Sequence, residues 1–485
     1  AGTAITTGAK NTILGAEAGE ALLSTPLNVI IGYAAGKAST TGAYNTIVGG
    51  SASQDGVLTG NYNAIYGFES GFNLTSGTRN VLMAGKGAGY SLTSGSDNTF
   101  IGYEAGDSHD AESNNLGIGR AALGGSIAGG EYNVAIGNYT GQALTSADYN
   151  TLVGYQAGVN ISTGGYNVFI GSAAGKEFTT GGGNVNTAVG ANCLQAMTTG
   201  GQNTALGGNA GYSLTSAVDN VLVGHNAGDS LALGSYNTAV GKDALGAAQG
   251  DRYNVAVGFE ALKVFNTGTS VNDTANTAVG VQAGLRVTSG AGGVFIGAGS
   301  GASVTTGDNN VCIGQDVGIN LTTGGANILI GQTINAGAAG RLRSIVIGTA
   351  NSASKGDNTT FISANGGDSF NGKNSTTWDQ SSDRRIKKNI VDNNTGLDSI
   401  NKIQVRNFEY RTLEEVTDFD HAEAAMVDKQ GTQIGVIAQE IEEILPDLIT
   451  ETSQGVKTLN TDNLTWYLIN AVKELSAEIK ALKGE

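Results

Sequence analysis

A unit of about 17 residues recurs along most of this chain, and so short a period excludes most folds before any single residue is weighed. Asn precedes a short apolar run at Asn11, Asn28, Asn45, Asn63 and Asn80, and the series continues through Asn150 and Asn254 to Asn327, with Gly293 and Ser344 standing in for Asn. Counted from that Asn, the unit reads Asn, Thr or Val, any residue, Ile, Val or Leu, Gly, two variable residues, Ala, Gly, two variable residues, Leu, two Thr or Ser, Gly and two variable residues. About 20 copies fill residues 1 to 350. The unit is too short for a helix pair or a propeller blade, and it lacks the acidic pattern of calcium-binding β-rolls. Two β-like pieces per unit, Asn-Thr/Val-x-Ile/Val and Leu-Thr-Thr/Ser, are separated by Gly and small residues that permit the positive φ of a tight corner. One unit is therefore expected to be one coil of a β-solenoid, and 20 coils at about 4.8 Å each make a rod on the order of 95 Å long.

The large apolar positions per coil are few. The first and third residues after Asn are expected to point inward with one Leu-type residue, as in Val134, Ile136 and Leu144, while Ala recurs at Ala18, Ala105, Ala157, Ala227 and Ala283. So little apolar surface would hardly offset a backbone ordering cost of about 1 to 2 kcal/mol per residue in one chain. Several chains sharing an axis would solve this, so an intertwined or side-by-side homotrimer is expected. Composition agrees with a glycine-punctuated β structure: 77 Gly with only 2 Pro excludes collagen, which needs Gly at every third position and abundant Pro. A net charge of -16 argues against non-specific binding to nucleic acid or to anionic membrane.

The recurring Asn is expected to form a stacked amide ladder that satisfies buried polar groups, with a metal or glycan role as the alternative. Thr pairs such as Thr40-Thr41 and Thr198-Thr199 fit β structure and cornering, against a flat ice-binding array. Tyr precedes the Asn at Tyr132, Tyr149 and Tyr166 and again at Tyr236 and Tyr253, either as aromatic packing along an edge or as a platform for sugars. Cys193 and Cys312 lie about seven coils apart, on the order of 34 Å, too far for an intrachain disulfide. His109, His225 and His421 have no metal-ligand or triad spacing and are expected to be scattered surface residues, and neither a metal nor a cofactor is expected. No run of 18 apolar residues is present, so no membrane insertion by a helix is expected, and the start at Ala1 without Met is compatible with a processed or truncated terminus.

Beyond the repeats the chain changes character. Residues 351–380 are rich in Ser, Asn, Gly and Asp and read as a spacer, with Phe361-Ile362 and Trp378 as short strands. Residues 1 to 350 carry about 12 Lys and Arg against 20 Asp and Glu, and the last 135 carry about 14 against 22, nearly three times the density. A small α+β domain is expected over 381–485, ending in a coiled-coil helix over 462–484 in which Leu468, Val472, Leu475, Ile479 and Leu482 form the seam.

That domain opens with Ser382-Asp383-Arg384-Arg385-Ile386-Lys387-Lys388-Asn389-Ile390 and continues with Gly435-Val436-Ile437-Ala438-Gln439-Glu440. Together with the terminal helix, and in this order, these segments resemble the intramolecular chaperone domain of endosialidases and of many phage tail fibres and tailspikes. The resemblance implies that three such domains assemble, register the β-structured trimer before them, and then cut themselves off. It assigns Ser382 as nucleophile, the bond between Ser381 and Ser382 as the cleavage site, and Lys387 as general base. A Ser hydroxyl needs a base to take its proton, and Lys serves only when burial or nearby cations lower its pKa. Asp383 and Arg385 are candidates for support, as are Arg384 and Lys388, which equally fit a solvated charged face. The shaft unit more loosely resembles the head repeats of trimeric autotransporter adhesins, in which three β-rolls pack around an axis.

The function expected from this reading is that of a structural, homotrimeric fibre or spike of a phage-like virion. It would attach to a host cell-surface receptor, a glycan or a surface protein, and contact other tail proteins. It would assemble in the host cytoplasm and be extracellular when mature. Autoproteolysis by the Ser-Lys pair is the enzymatic activity this implies. A bacterial surface adhesin carrying the same chaperone, or a polysaccharide-degrading tailspike, are the alternatives.

Overall fold

The computed structural model describes the chain except for residues 126–128, 180–184, 349–351, 365–366, 372–383, 385–386, 417–426, 428, 452–454 and 485. It divides into two compact units, Ala1–Ser381 and Ser382–Glu485. In the first, each repeat contributes one short strand to a single 22-stranded sheet among the described residues. Thr12–Leu14 pairs in parallel with Val29–Ile31, that with Thr46–Val48, and the ladder continues coil by coil. The pairing runs past residue 350. Thr360–Ala364 adds in parallel to Ile345–Gly348 and then pairs antiparallel with Gly367–Asn371, so the segment read as a spacer holds a further strand of the sheet and a hairpin that closes its edge.

Two details differ from the sequence reading. Only the segment after Asn is a strand; the Leu-Thr-Thr/Ser segment turns, and its backbone bonds singly to the next coil, as from Thr198 N to Thr215 O at 2.8 Å. The parity of the strand is also the reverse of that expected. It is the second residue after Asn that points inward, for example Ile30, Leu152, Phe169 and Leu222, each at most 1% exposed, while Val134 and Ile136 on either side of buried Ala135 face outward. Left-handed residues set this parity, three of them in this coil: Tyr149 (φ 57°) just before Asn150, and Gln156 (φ 55°) and Gly158 (φ 56°) after the strand Thr151–Val153. Gly154 between them has φ +132°, and a Cβ there would stand 2.5 Å from the carbonyl oxygen of Gly171 in the next coil, so only Gly fits.

The inward residues, the Ala column and the Leu-type column form one continuous apolar core within a single chain. The interior is therefore closed without a second chain, and the argument that partners must complete it does not hold. Volume is balanced along the core. Where the inward strand residue is small, at Gly117, Ala188, Ala239 and Ala256, the coil carries Leu123, Leu194, Leu245 or Leu262 at a corner that elsewhere is usually Gly. These Leu residues keep the left-handed corner (φ 49° to 53°) and also fill the next coil: a Cβ on Gly211, beside Ala205, would come 2.7 Å from Leu194 Cδ2 and 2.8 Å from Leu222 Cδ1.

Polar groups inside are paired by repetition. The Asn150 side chain donates to Gly164 O at 2.9 Å and to Asn133 Oδ1 at 3.1 Å, and its own Oδ1 accepts from the backbone N–H and Nδ2 of Asn167 at 3.0 and 3.1 Å. A mutant lacking one such amide would strand several buried groups, each costing about 1 to 3 kcal/mol.

The second unit packs around Ile441, Leu445, Leu448 and Tyr467, with Ile400, Ile403, Val436 and Leu464 against them. Strand Arg406–Phe408 pairs antiparallel with Gln433–Gly435, which leads into helix Ala438–Glu442 and the short turn Pro446–Leu448. A hairpin of Ile449–Glu451 and Lys457–Leu459 precedes the long helix Thr461–Lys483. Asn460 caps that helix by accepting from Asn463 N at 3.1 Å, and Gly484 ends it in the left-handed conformation.

Candidate functional site

Of the residues assigned to self-cleavage, Ser381, Ser382, Asp383 and Arg385 lie outside the described residues. Lys387 and Arg384 are described: both side chains are exposed, and Lys387 N donates to Arg384 O at 3.2 Å. Lys388 is exposed as well.

The surrounding fold is braced on the long helix. The Glu474 carboxylate accepts from Leu397 N at 2.6 Å, and Asn470 Nδ2 donates to Asn393 O at 2.7 Å, tying the segment that follows Lys387 to the helix. Tyr467 donates its hydroxyl to Asp447 Oδ2 at 2.5 Å, and this bond to a carboxylate holds the phenol above its ordinary pKa. Arg406 makes a two-pronged contact with Glu440 at 3.0 and 3.2 Å, joining the strand to the short helix. A groove of about 570 Å³ lies beside them, lined by Phe408, Tyr410, Val436, Ile437 and Leu459 among others. Sequence reasoning did not find it, because its wall comes from three segments that are distant along the chain.

A neighbouring face of the helix carries apolar side chains that stay partly or largely exposed among the described residues. Leu468, Leu475 and Ile479 are 43% to 45% exposed, Val472 65% and Leu482 88%, the same residues whose spacing marks a coiled-coil seam.

On the shaft, the columns singled out from sequence are occupied by their own neighbours. The Tyr132, Tyr149 and Tyr166 rings stack at 4.9 and 5.0 Å with interplanar angles of 2° and 12°, so each face of Tyr149 meets another ring. That leaves no face of the middle ring for a sugar. Thr hydroxyls point along the rod, as from Thr198 to Thr215 O at 3.2 Å and from Thr215 to Ala232 O at 3.0 Å, rather than standing out as an array. The buried acids have structural partners: Glu112 accepts from Asp110 N and Gly129 N at 2.9 and 3.0 Å, and Asp251 accepts from Thr267. Cys193 and Cys312 are buried, and burial pushes both thiols up to about 12. Among the described residues no group of three or more His, Cys, Asp or Glu is placed to hold a metal ion, and no helix is long and apolar enough to cross a membrane.

A β-solenoid joined to a small α+β domain with an exposed helical seam defines a fibre-type protein with a C-terminal assembly domain. Residues 382–450 match the family described as chaperone of endosialidase, and the match opens at Ser382, the residue at which the two compact units divide. The chain thus joins a β-solenoid to a segment that matches the chaperone-of-endosialidase family, an arrangement that fits a tail-fibre or tailspike type of protein. No curated protein matches it.

Proposed function

We propose that this chain forms a homotrimeric fibre or spike shaft of a phage-like virion, assembled in the host cytoplasm by its chaperone domain, released from that domain by self-cleavage, and used for attachment to a host surface receptor. One observation carries the reading: a regular solenoid gives way at Ser382 to a chaperone-of-endosialidase domain. The uncovered seam Leu468, Val472, Leu475, Ile479 and Leu482 supports three chains meeting there.

In the cleavage, Ser382 Oγ attacks the carbonyl carbon of Ser381 while Lys387 accepts the hydroxyl proton. The Ser382 nitrogen leaves with a proton, an ester links Ser381 to Ser382 Oγ, and water hydrolyses it to the Ser381 carboxylate and a free Ser382 N-terminus.

The test compares wild type with Ser382→Ala on a denaturing gel, alongside N-terminal sequencing of any small fragment. Wild type should yield a fragment beginning at Ser382 and the variant should stay whole. If both run at full length while trimers form, the cleavage assignment fails. Binding of the purified rod to host cells or to a glycan array tests the attachment role.

A further inference from the structure

We infer that the outward face of the solenoid sheet is the surface on which copies of this chain pack, side by side and in register around a common axis. The inference rests on the trimer reading above and says which face of the shaft makes the trimer. In each parallel strand of the sheet, the first and third residues point away from the core. The third is apolar or aromatic in every described strand from Leu14 to Ile362, and neither column contains a charge. Ile136, Ile170, Leu206, Ile296 and Ile347 are each 36% to 40% exposed.

Such a stripe, uncharged and made of Thr and apolar side chains, is about 100 Å long and about 10 Å wide, near 1,000 Å² per chain by strand spacing. It exceeds the roughly 800 Å² per partner of a stable protein interface.

The occupant follows from the repeat. The stripe presents one outward pair per coil, a Thr or apolar residue followed by an apolar or aromatic one, and a second rod of the same pitch can meet every pair with one packing geometry. An object with another period loses register within a few coils. The chain also keeps this face free of interruption. The 22-residue step between Asn254 and Asn276 leaves Val255–Val257 paired residue for residue with Thr277–Val279, and its extra length is taken up elsewhere, in a segment anchored by Asp251–Arg252 pairing with Asn272–Asp273. Likewise the 19-residue step from Asn167 to Asn186 leaves Val168–Ile170 flush with Thr187–Val189. In these two coils the insertions lie on the other arcs, and the register shift between Tyr66 and Phe68, opposite Met83 and Lys86, falls after the three residues that carry the stripe. Because each chain closes its own core, the copies lie side by side rather than intertwined.

The test uses the full-length chain with single cysteines at Val189→Cys and Val279→Cys on the stripe, and at Ser146→Cys on another exposed arc, each treated with a short bis-maleimide. The native thiols are buried and do not compete. Sedimentation is run on the same samples. The expected result is a trimer in which both stripe variants cross-link chain to chain and Ser146→Cys does not. A trimer that fails to cross-link at 189 and 279, or links at 146 instead, overturns this face assignment and leaves the trimer standing. A folded monomer overturns the trimer reading itself.

Discussion

His109 occupies the place that Leu92 and Leu144 hold in other coils, and it is fully buried against the Phe100 ring at 4.7 Å. Neither ring nitrogen has a hydrogen-bond partner among the described residues, and burial lowers its pKa from 6.5 to about 3. The folded coil thus holds a neutral imidazole, while the unfolded chain takes up a proton below about pH 6.5. Its effect on stability is absent above that pH and becomes a growing penalty as pH falls from about 6.5 toward 3, at about 1.4 kcal/mol per unit. His109→Leu should therefore gain about 2 to 3 kcal/mol over wild type at pH 4.5 beyond any difference at pH 7, read from denaturant midpoints at the two values. An equal difference at both values would show that the site is not dry. The sequence reading puts this histidine on the surface, and the structure buries it, because the column it joins was not legible in a lone residue that departs from the Leu of other coils.

For a single coil, the exchange of volume between strand and corner is the stability-determining feature. Leu194→Ala should cost about 2 to 5 kcal/mol, because the emptied space lies between two coils that cannot collapse independently. Ala188→Leu alone should overpack the coil and cost about 1 to 3 kcal/mol. Combined with Leu194→Gly it should relieve the overpacking within that coil, as in the Leu222 and Gly228 pair two coils on, while the space beside Ala205 and Gly211 that Leu194 also fills stays empty. Denaturant melts of the single and double variants check this, and additive losses in the double variant would contradict the exchange. The sequence pattern exposed the Gly at this corner but not its trade with the strand residue, which requires knowing that the two side chains enter the same space.

Across the whole molecule, assembly is expected to depend on surfaces that the single chain leaves dry-packed on one side only. Val472→Asp with Leu475→Asp changes two side chains that are 65% and 45% exposed, so the fold of one chain should tolerate it. Sedimentation should show the variant losing trimer, with an undisturbed β signal by circular dichroism only if the shaft folds without the chaperone seam. A variant that remains fully trimeric would remove the helix from the assembly interface. The composition break and the heptad spacing are what mark this region in the sequence.

The period, the stacking of coils, the Asn ladder and the point where the chain changes character follow from the sequence alone, because each is a local pattern repeated many times. Which residues face inward does not. Both faces of every strand carry apolar residues, and a one-residue change of phase exchanges them, so hydrophobicity cannot choose between the two. The corners at left-handed residues such as Tyr149 and Gln156 make that choice. By turning the second residue inward they let one chain seal its own core and leave the Ile and Val column outside, where only another surface can cover it.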